Sequence, residues 1–238
     1  MDILADDPAT QDNTDEALAE RFRAFVSDTA FPCVGAKSAL ARGSLEIAVA
    51  QDIESAWDDL RIHRRLLDWS WRYRDEQDGL RSLVFLFRAG RSLDEEAFER
   101  ALWDRLQSMT DKDVWLGQSP DPAVSAQPAD PHFGLSFGGQ GYFVVGLHPH
   151  ASRPARRFEV PAMVFNLHDQ FERLRAEGRY ERMREVIIAR DTDLAGTPNP
   201  MLARHGEASE ARQYSGRQVG EDWRCPFTGR APASQETP

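Results

Sequence analysis

The sequence has few cysteines, no long hydrophobic run and no block of basic residues. Only two cysteines occur among 238 residues, Cys33 and Cys225. Without a signal-peptide pattern before them, they predict free thiols in a reducing, cytoplasmic setting. No apolar stretch reaches the roughly 20 residues that a transmembrane helix needs. We therefore expect no membrane partner.

Several catalytic signatures are also missing. The sequence has no glycine-rich phosphate loop, no nucleophile elbow and no CxxC pair. It therefore lacks the motifs that would indicate a kinase or a hydrolase. The formal net charge is −10, and no long block of lysines or arginines offsets it. The electrostatic field of a chain with this negative charge repels nucleic acid and anionic membranes, so we expect neither as a partner.

The composition predicts one folded domain, since the chain is long enough to bury a single sizeable core. Residues 1–15 are acidic and polar and predict a disordered lead. Residues 16–227 are interpreted as the catalytic domain, and residues 228–238 as a disordered tail. The predicted fold class is α+β, with a small antiparallel sheet packed against helices and an irregular C-terminal segment that wraps back onto the domain.

Local patterns predict the order of the elements. A helix is expected from Glu16 to just before Phe31-Pro32, because a residue preceding proline avoids the α region. We expect three elements after this helix: a tight connection starting at Cys33, a helical segment over 45–75 and a buried strand over 82–87. The motif from Ser92 to Glu95 resembles a capping box and predicts the start of another helix.

The second half predicts a hairpin and more helix. Apolar segments at 133–137 and 142–147 flank the glycines of 138–141, which suits antiparallel strands. His148 then lies at the end of a strand. A helical region with a break at Gly178 is expected after His168, and Tyr214, Trp223 and Phe227 indicate that the irregular C-terminal segment packs on the core.

Three histidines are candidate metal ligands: His148, His150 and His168. In an extended segment, His148 and His150 point the same way, so they could form one edge of an iron or zinc site. Hydrogen bonding at surface turns is the alternative for each. Cys225 is a candidate soft ligand or a small buried hydrophobe, and Cys33 is the weaker candidate of the two thiols.

The arginines Arg153, Arg156 and Arg157 follow the histidine segment. Guanidinium groups bind carboxylate or phosphate through two oxygens at once, so the cluster predicts an anion site. The alternative is that these arginines neutralise acidic neighbours in an acidic chain.

The sequence resembles the YqcI/YcgG family over about residues 20–227. Within the family it resembles the branch that includes the heme-dependent N-hydroxylase of guanitoxin biosynthesis. The segments that carry the resemblance are 31–39 (FPCVGAKSA), 142–149 (YFVVGLHP), 151–158 (ASRPARRF), 164–172 (VFNLHDQFE), 199–202 (NPML), 209–217 (SEARQYSGR) and 223–227 (WRCPF).

The resemblance implies a heme-dependent monooxygenase that uses dioxygen to hydroxylate a nitrogen of arginine or a related guanidine or amino compound. It implies heme b as cofactor and an external electron-donor protein, because no flavin or iron–sulfur motif is present. His148 is the expected iron ligand, with His150, His168 and Cys225 as alternatives. The remaining expected site residues are Arg153, Arg156 and Arg157 for the propionates, Phe143, Phe158 and Phe165 for the walls, and Glu207 and Glu210 for the substrate.

Two other functions stay open at this point. One is a non-heme metalloenzyme that uses His148 and His150, with or without His168 as a third ligand. The other is a non-catalytic binding domain, in which arginines and acids form an interaction surface. A porphyrin-sized slot beside His148 would favour the heme enzyme, and a tight three-histidine cluster would favour the metalloenzyme.

Overall fold

The fold is organised around one five-stranded sheet. A computed structural model of the protein describes residues 14–202 and 206–230. The strands are β1 (Leu45–Asp52), β2 (Ser82–Ala89), β3 (Leu135–Phe137), β4 (Gln140–Leu147) and β5 (Ala162–Leu167), in the spatial order β1-β2-β5-β4-β3. β1 and β2 are parallel, whereas the other neighbouring pairs are antiparallel.

Seven α-helices lie in the described residues. They are α1 (Asp15–Ser27), α2 (Val34–Ala41), α3 (Asp59–Asp75), α4 (Glu95–Trp115), α5 (His168–Ala176), α6 (Tyr180–Ala195) and the short α7 (Ala211–Tyr214). Two 3₁₀ turns cover Ala56–Asp58 and Pro154–Arg156. None of the described helices combines the length and apolarity that crossing a bilayer requires.

Strand alternation divides the core into two layers. On one face, Phe85, Val144 and Phe165 pack against α3, α4 and the C-terminal segment. On the other face, Val84, Leu147 and further apolar side chains pack against α1, with partly buried residues of α2 alongside. The predicted α+β single-domain class is confirmed, but the sheet is mixed rather than purely antiparallel.

Several element predictions need correction. Residues 45–52 form strand β1, not the start of a helix, because their apolar side chains alternate beside β2 in the sheet. Residues 34–41 form a helix whose N-cap is Cys33, where a tight connection was expected. The helix after Ser92 is confirmed, but its N-cap is Asp94, whose carboxylate accepts from Ala97 N at 2.8 Å.

The hairpin prediction is confirmed. β3 and β4 are joined by Gly138 and Gly139, with φ of 58° and 78°. Both values lie in the left-handed region, which a two-residue turn between twisted strands requires and which glycine adopts without strain. The turn thereby fixes the register in which Leu135 faces Tyr142.

The C-terminal segment packs on the core as predicted. Tyr214 stacks on Trp103 with ring centroids 5.5 Å apart and donates its hydroxyl to Tyr142 O at 3.1 Å. Arg230 bonds the buried Asp113 at 2.7 Å. Residues 228–230 therefore belong to the packed structure, although the predicted tail starts at 228. Residues 231–238, and residues 1–13 of the predicted lead, lie outside the described residues.

Candidate functional site

An apolar cavity of about 210 Å³ lies on the α1–α2 face of the sheet. We call it the apolar cavity. Side chains of α1, α2, β4, β5, α6 and the segment after α6 surround it. Its lining is Phe22, Val26, Phe31, Pro32, Cys33, Ala36, Leu45, Val145, Leu147, Ala155, Arg156, Val164, Asn166, Ile187, Asp191, Asn199 and Leu202.

The strand register determines which side chains reach the apolar cavity. Val145 and Leu147 of β4 alternate with residues that face the other layer, and Val164 and Asn166 of β5 do the same. Asn166 accepts a hydrogen bond from the Ser82 hydroxyl at 2.7 Å, which orients its amide. The floor of the cavity is therefore held by the sheet, whereas its sides come from helices and loops.

Cys33 brings a thiol to this cavity. It is the N-cap of α2, and its sulfur accepts from Ala36 N at 3.4 Å. A helix N-terminus lowers a thiol pKa, but burial outweighs that effect and raises the pKa of Cys33 above its usual value. The thiol is therefore protonated at neutral pH unless a cation or metal stabilises the thiolate.

Arg156 brings a guanidinium to the same cavity. Its Nη1 donates to Gly146 O at 2.9 Å and Tyr214 O at 3.2 Å, and its Nη2 donates to Gln213 O at 3.0 Å. No carboxylate of the described residues lies within ion-pair distance of it. Burial therefore lowers the pKa of Arg156 to about 10. A half-buried cation without a carboxylate partner is suited to an anionic ligand.

The two neighbouring arginines have different roles. Arg153 forms an ion pair with Asp191 at 2.5 Å and donates to Thr197 O at 3.0 Å, so it ties the end of α6 to the 3₁₀ turn. Arg157 donates to Ala151 O at 2.6 Å and Ser152 O at 2.8 Å. Of the three arginines predicted for propionates, Arg156 alone lines the apolar cavity.

His148 lies on the opposite side of the sheet from the apolar cavity. Its imidazole is 1 % exposed and stacks on Phe98 of α4, with ring centroids 4.3 Å apart. Its Nδ1 is buried without a hydrogen-bond partner, and burial lowers its pKa to about 4. His148 is at the end of β4 as predicted, but no slot for a flat cofactor opens between the ring and Phe98.

The three histidines do not converge. His150 is exposed and shares a hydrogen bond of 2.6 Å with Ser92. His168 begins α5 beyond the end of β5, and β5 runs antiparallel to β4, so His168 and His148 lie at opposite ends of this strand pair. Within the described residues, no group of three or more His, Cys, Asp or Glu side chains is arranged to hold a metal ion. The three-histidine alternative therefore lacks its geometry.

The other predicted site residues do not line the apolar cavity. Glu210 is 3.3 Å from Nε2 of His168, and Glu207 is exposed. Cys225 packs against the α3–α4 layer, where burial raises its pKa to about 12. Of the predicted walls, Phe158 packs on Phe22 near the cavity, whereas Phe143 and Phe165 pack with the α3–α4 layer.

Sequence reasoning missed several lining residues of the apolar cavity, although the segments that carry the family resemblance contain them. Phe31, Cys33, Asn199 and Leu202 belong to segments that carry the family resemblance, yet they lie far apart along the chain. Five of these segments, 31–39, 142–149, 151–158, 164–172 and 199–202, contribute side chains to the apolar cavity. Their convergence follows from the topology, which local periodicity does not specify.

The model of the YqcI/YcgG family matches residues 22–228 of the chain. This range covers the whole sheet and every helix except the start of α1. The chain belongs to the YqcI/YcgG family. The match is to the YqcI/YcgG family as a whole and singles out no branch. No curated protein and no solved structure matches the chain.

Proposed function

We propose that the chain is a heme-dependent monooxygenase that hydroxylates a nitrogen of arginine or a related guanidine compound, with its cofactor in the apolar cavity. The heme and the substrate class are what the resemblance to the guanitoxin branch implies. One structural observation supports this location: the apolar cavity brings a thiol, a half-buried guanidinium and apolar walls together. Heme b needs an axial side chain, an apolar slot and cations for its propionates, and a thiol, apolar walls and a guanidinium can serve in these roles.

The residues around the cavity fit heme by type. Cys33 is the candidate axial ligand in this arrangement, because thiolate ligation favours O–O cleavage and His148 lies on the other face of the sheet. Arg156 would bind a propionate, which gives its guanidinium the carboxylate that it lacks among the described residues. Phe22, Phe31 and Leu147 would contact the ring.

The size of the cavity sets a condition on binding. Its volume of about 210 Å³ is below the roughly 300–1,000 Å³ of typical small-molecule sites. A porphyrin therefore requires outward movement of the parts that cover the cavity. The sheet and α1 are held by the core, so α6 and residues 199–202 are the parts expected to move.

The substrate would enter beside Asp191. A guanidinium is best recognised by a carboxylate, and Asp191 is the acid among the lining residues of the described chain. Its partner Arg153 is itself a guanidinium, so a substrate would share or replace that contact. When bound, heme supplies the centre at which dioxygen takes two electrons and two protons, giving one oxygen atom to N–OH and the other to water. The electrons come from a separate donor protein.

The test is an absorption spectrum of the protein expressed with a heme precursor. We expect a Soret band in the wild type, a shifted or lost band in Cys33→Ser, and an unchanged band in Cys225→Ser, which serves as the thiol control. Heme-loaded protein with an electron donor should add one oxygen atom to arginine or a related guanidine compound, as detected by mass spectrometry.

Two results would overturn parts of the proposal. A colourless wild-type protein would reject the heme enzyme. The band could instead be intact in Cys33→Ser and lost in a folded His148→Phe variant. That result would show that His148 is the axial ligand, as the sequence predicts, and would reject the apolar cavity as the site. Circular dichroism of each variant establishes that a lost band does not reflect unfolding.

A further inference from the structure

A second cavity lies on the other side of α2 and is lined by arginines. Its volume is about 300 Å³, which falls within the range of about 300–1,000 Å³ for small-molecule sites. We call it the arginine cavity. Its lining is Ser38, Arg42, Asp78, Gly79, Leu80, Gln170, Arg173, Leu174, Glu177 and Arg179. It shares no lining residue with the apolar cavity.

Two of its three arginines are held by protein partners. Arg173 donates to Gln77 O and to the Tyr73 hydroxyl, and its Nε is 3.2 Å from Asp169. Arg179 pairs with Glu177 at 2.7 Å. These contacts fix the two guanidinium groups at the wall, but they leave little of their charge unbalanced.

Arg42 differs from the other two. Neither an acid nor a carbonyl of the described residues accepts a hydrogen bond from its guanidinium. It lies across the backbone of Gly79, where φ is 64° and a Cβ would come within 2.9 Å of its Nη1. The glycine therefore leaves room for the guanidinium to reach over the turn and into the cavity.

Gln170 adds a second polar group without a full set of partners. The residue is 3 % exposed, and its Oε1 accepts from Arg81 N at 2.8 Å, which fixes the orientation of the amide. Gln170 lines the arginine cavity, and in the described part of the chain its amide nitrogen donates to no protein acceptor. The Gln170 amide nitrogen and the exposed Arg42 guanidinium are therefore two donors at one cavity that are free to bind a ligand acceptor.

We infer that the arginine cavity binds an oxyanion, carried by a small phosphate ester or carboxylate, with Arg42 as its main cation and the Gln170 amide and Ser38 hydroxyl as neutral donors. Guanidinium and amide groups are donors without competing acceptors at these positions, and oxyanions accept from both. Asp78 and Glu177 also line the cavity and repel polyanions, which favours a ligand with one or two negative charges. The inference does not depend on heme.

The test is calorimetric titration of the full chain at low ionic strength with inorganic phosphate and, separately, with acetate. We expect saturable binding of at least one, and a loss of affinity of about tenfold or more in Arg42→Ala, since a charge-assisted hydrogen bond is removed. Arg42→Lys keeps the charge without the two-pronged geometry and should give an intermediate affinity. Raising the ionic strength should weaken binding.

The control is Arg74→Ala, which removes an exposed arginine that does not line this cavity. Its affinity should equal that of the wild type. Arg42 is exposed and unpaired among the described residues, so Arg42→Ala should unfold at the wild-type temperature without anion. Binding of phosphate alone identifies a phosphate ester, and binding of acetate alone identifies a carboxylate. Absence of binding, or equal binding by Arg42→Ala, overturns the inference.

Discussion

His148 is a buried imidazole whose proton affinity differs between the folded and unfolded chain. Burial lowers its folded pKa to about 4, whereas an unfolded histidine titrates near 6.5. Between these values the unfolded chain binds the proton and the folded chain does not. The free energy of unfolding therefore falls as pH falls from about 6.5 to about 4, and it is unaffected by this group above about 6.5.

We predict that this residue accounts for a loss on the order of 3 kcal/mol over that interval, from the size of the pKa difference. The variant His148→Phe keeps a ring against Phe98 but has no titrating group there. Its free energy of unfolding should therefore fall by about 3 kcal/mol less than that of the wild type over the same pH interval. Urea unfolding at pH 7, 6, 5 and 4 measures it. Equal slopes in the wild type and His148→Phe would contradict the prediction.

The same residue illustrates what sequence reasoning can predict about the site. The strand that ends at Leu147 was predicted correctly, and His148 does follow it. However, neighbouring residues of a strand point to opposite faces, so the cavity that takes Leu147 cannot take His148. Which face carries a cavity depends on helices distant in sequence, and no local pattern reports it.

At the scale of elements, β4 and α4 pack unusually closely at Gly146. A Cβ at this position would come within 2.7 Å of both Phe98 and Leu102. We predict that Gly146→Ala lowers the free energy of unfolding by about 1–3 kcal/mol, because the well-packed layer has to shift. Urea unfolding at pH 7 measures the effect.

A second glycine provides the matched comparison. Gly35 lies in α2, and a Cβ there would be no closer than 3.7 Å to its neighbours. Gly35→Ala should therefore be neutral or stabilise by about 0.4–1 kcal/mol, because alanine reduces the entropy of the unfolded chain. Similar losses in both variants would show that close packing of β4 against α4 is not the cause.

Elements with a strong local signature were the predictable ones. The glycine pair at 138–139 and the alternating strands beside it defined the hairpin, and the apolar spacing from Phe98 to Leu106 defined α4. β1 was mistaken for helix because its alanines and a glutamate are compatible with helix, and only pairing with β2 decides the outcome. Its parallel pairing is a long-range property that the residues of β1 do not encode alone.

At the scale of the whole molecule, the C-terminal segment completes the larger core layer. Tyr214 is fully buried, and Phe227 is also buried against Trp103. We predict that a chain ending after Ser209 loses cooperative unfolding, because removing one buried aromatic side chain costs about 3–5 kcal/mol and total stability is about 5–15 kcal/mol. Near-ultraviolet circular dichroism and solubility measure this.

A truncation after Arg230 is the control for that experiment. It keeps the Tyr214 and Phe227 contacts and the ion pair of Arg230 with Asp113. It should unfold cooperatively, with a midpoint near that of the full chain. Cooperative unfolding of the shorter chain would show that the core does not need the C-terminal segment.

The lining of the apolar cavity starts at Phe22 and ends at Leu202. During translation, the ribosome must therefore release the chain through residue 202 before this pocket has all its walls. Contacts between residues so distant in sequence also form late, because closing long loops is slow. Any molecule that occupies the pocket is consequently acquired only after residue 202 has left the ribosome.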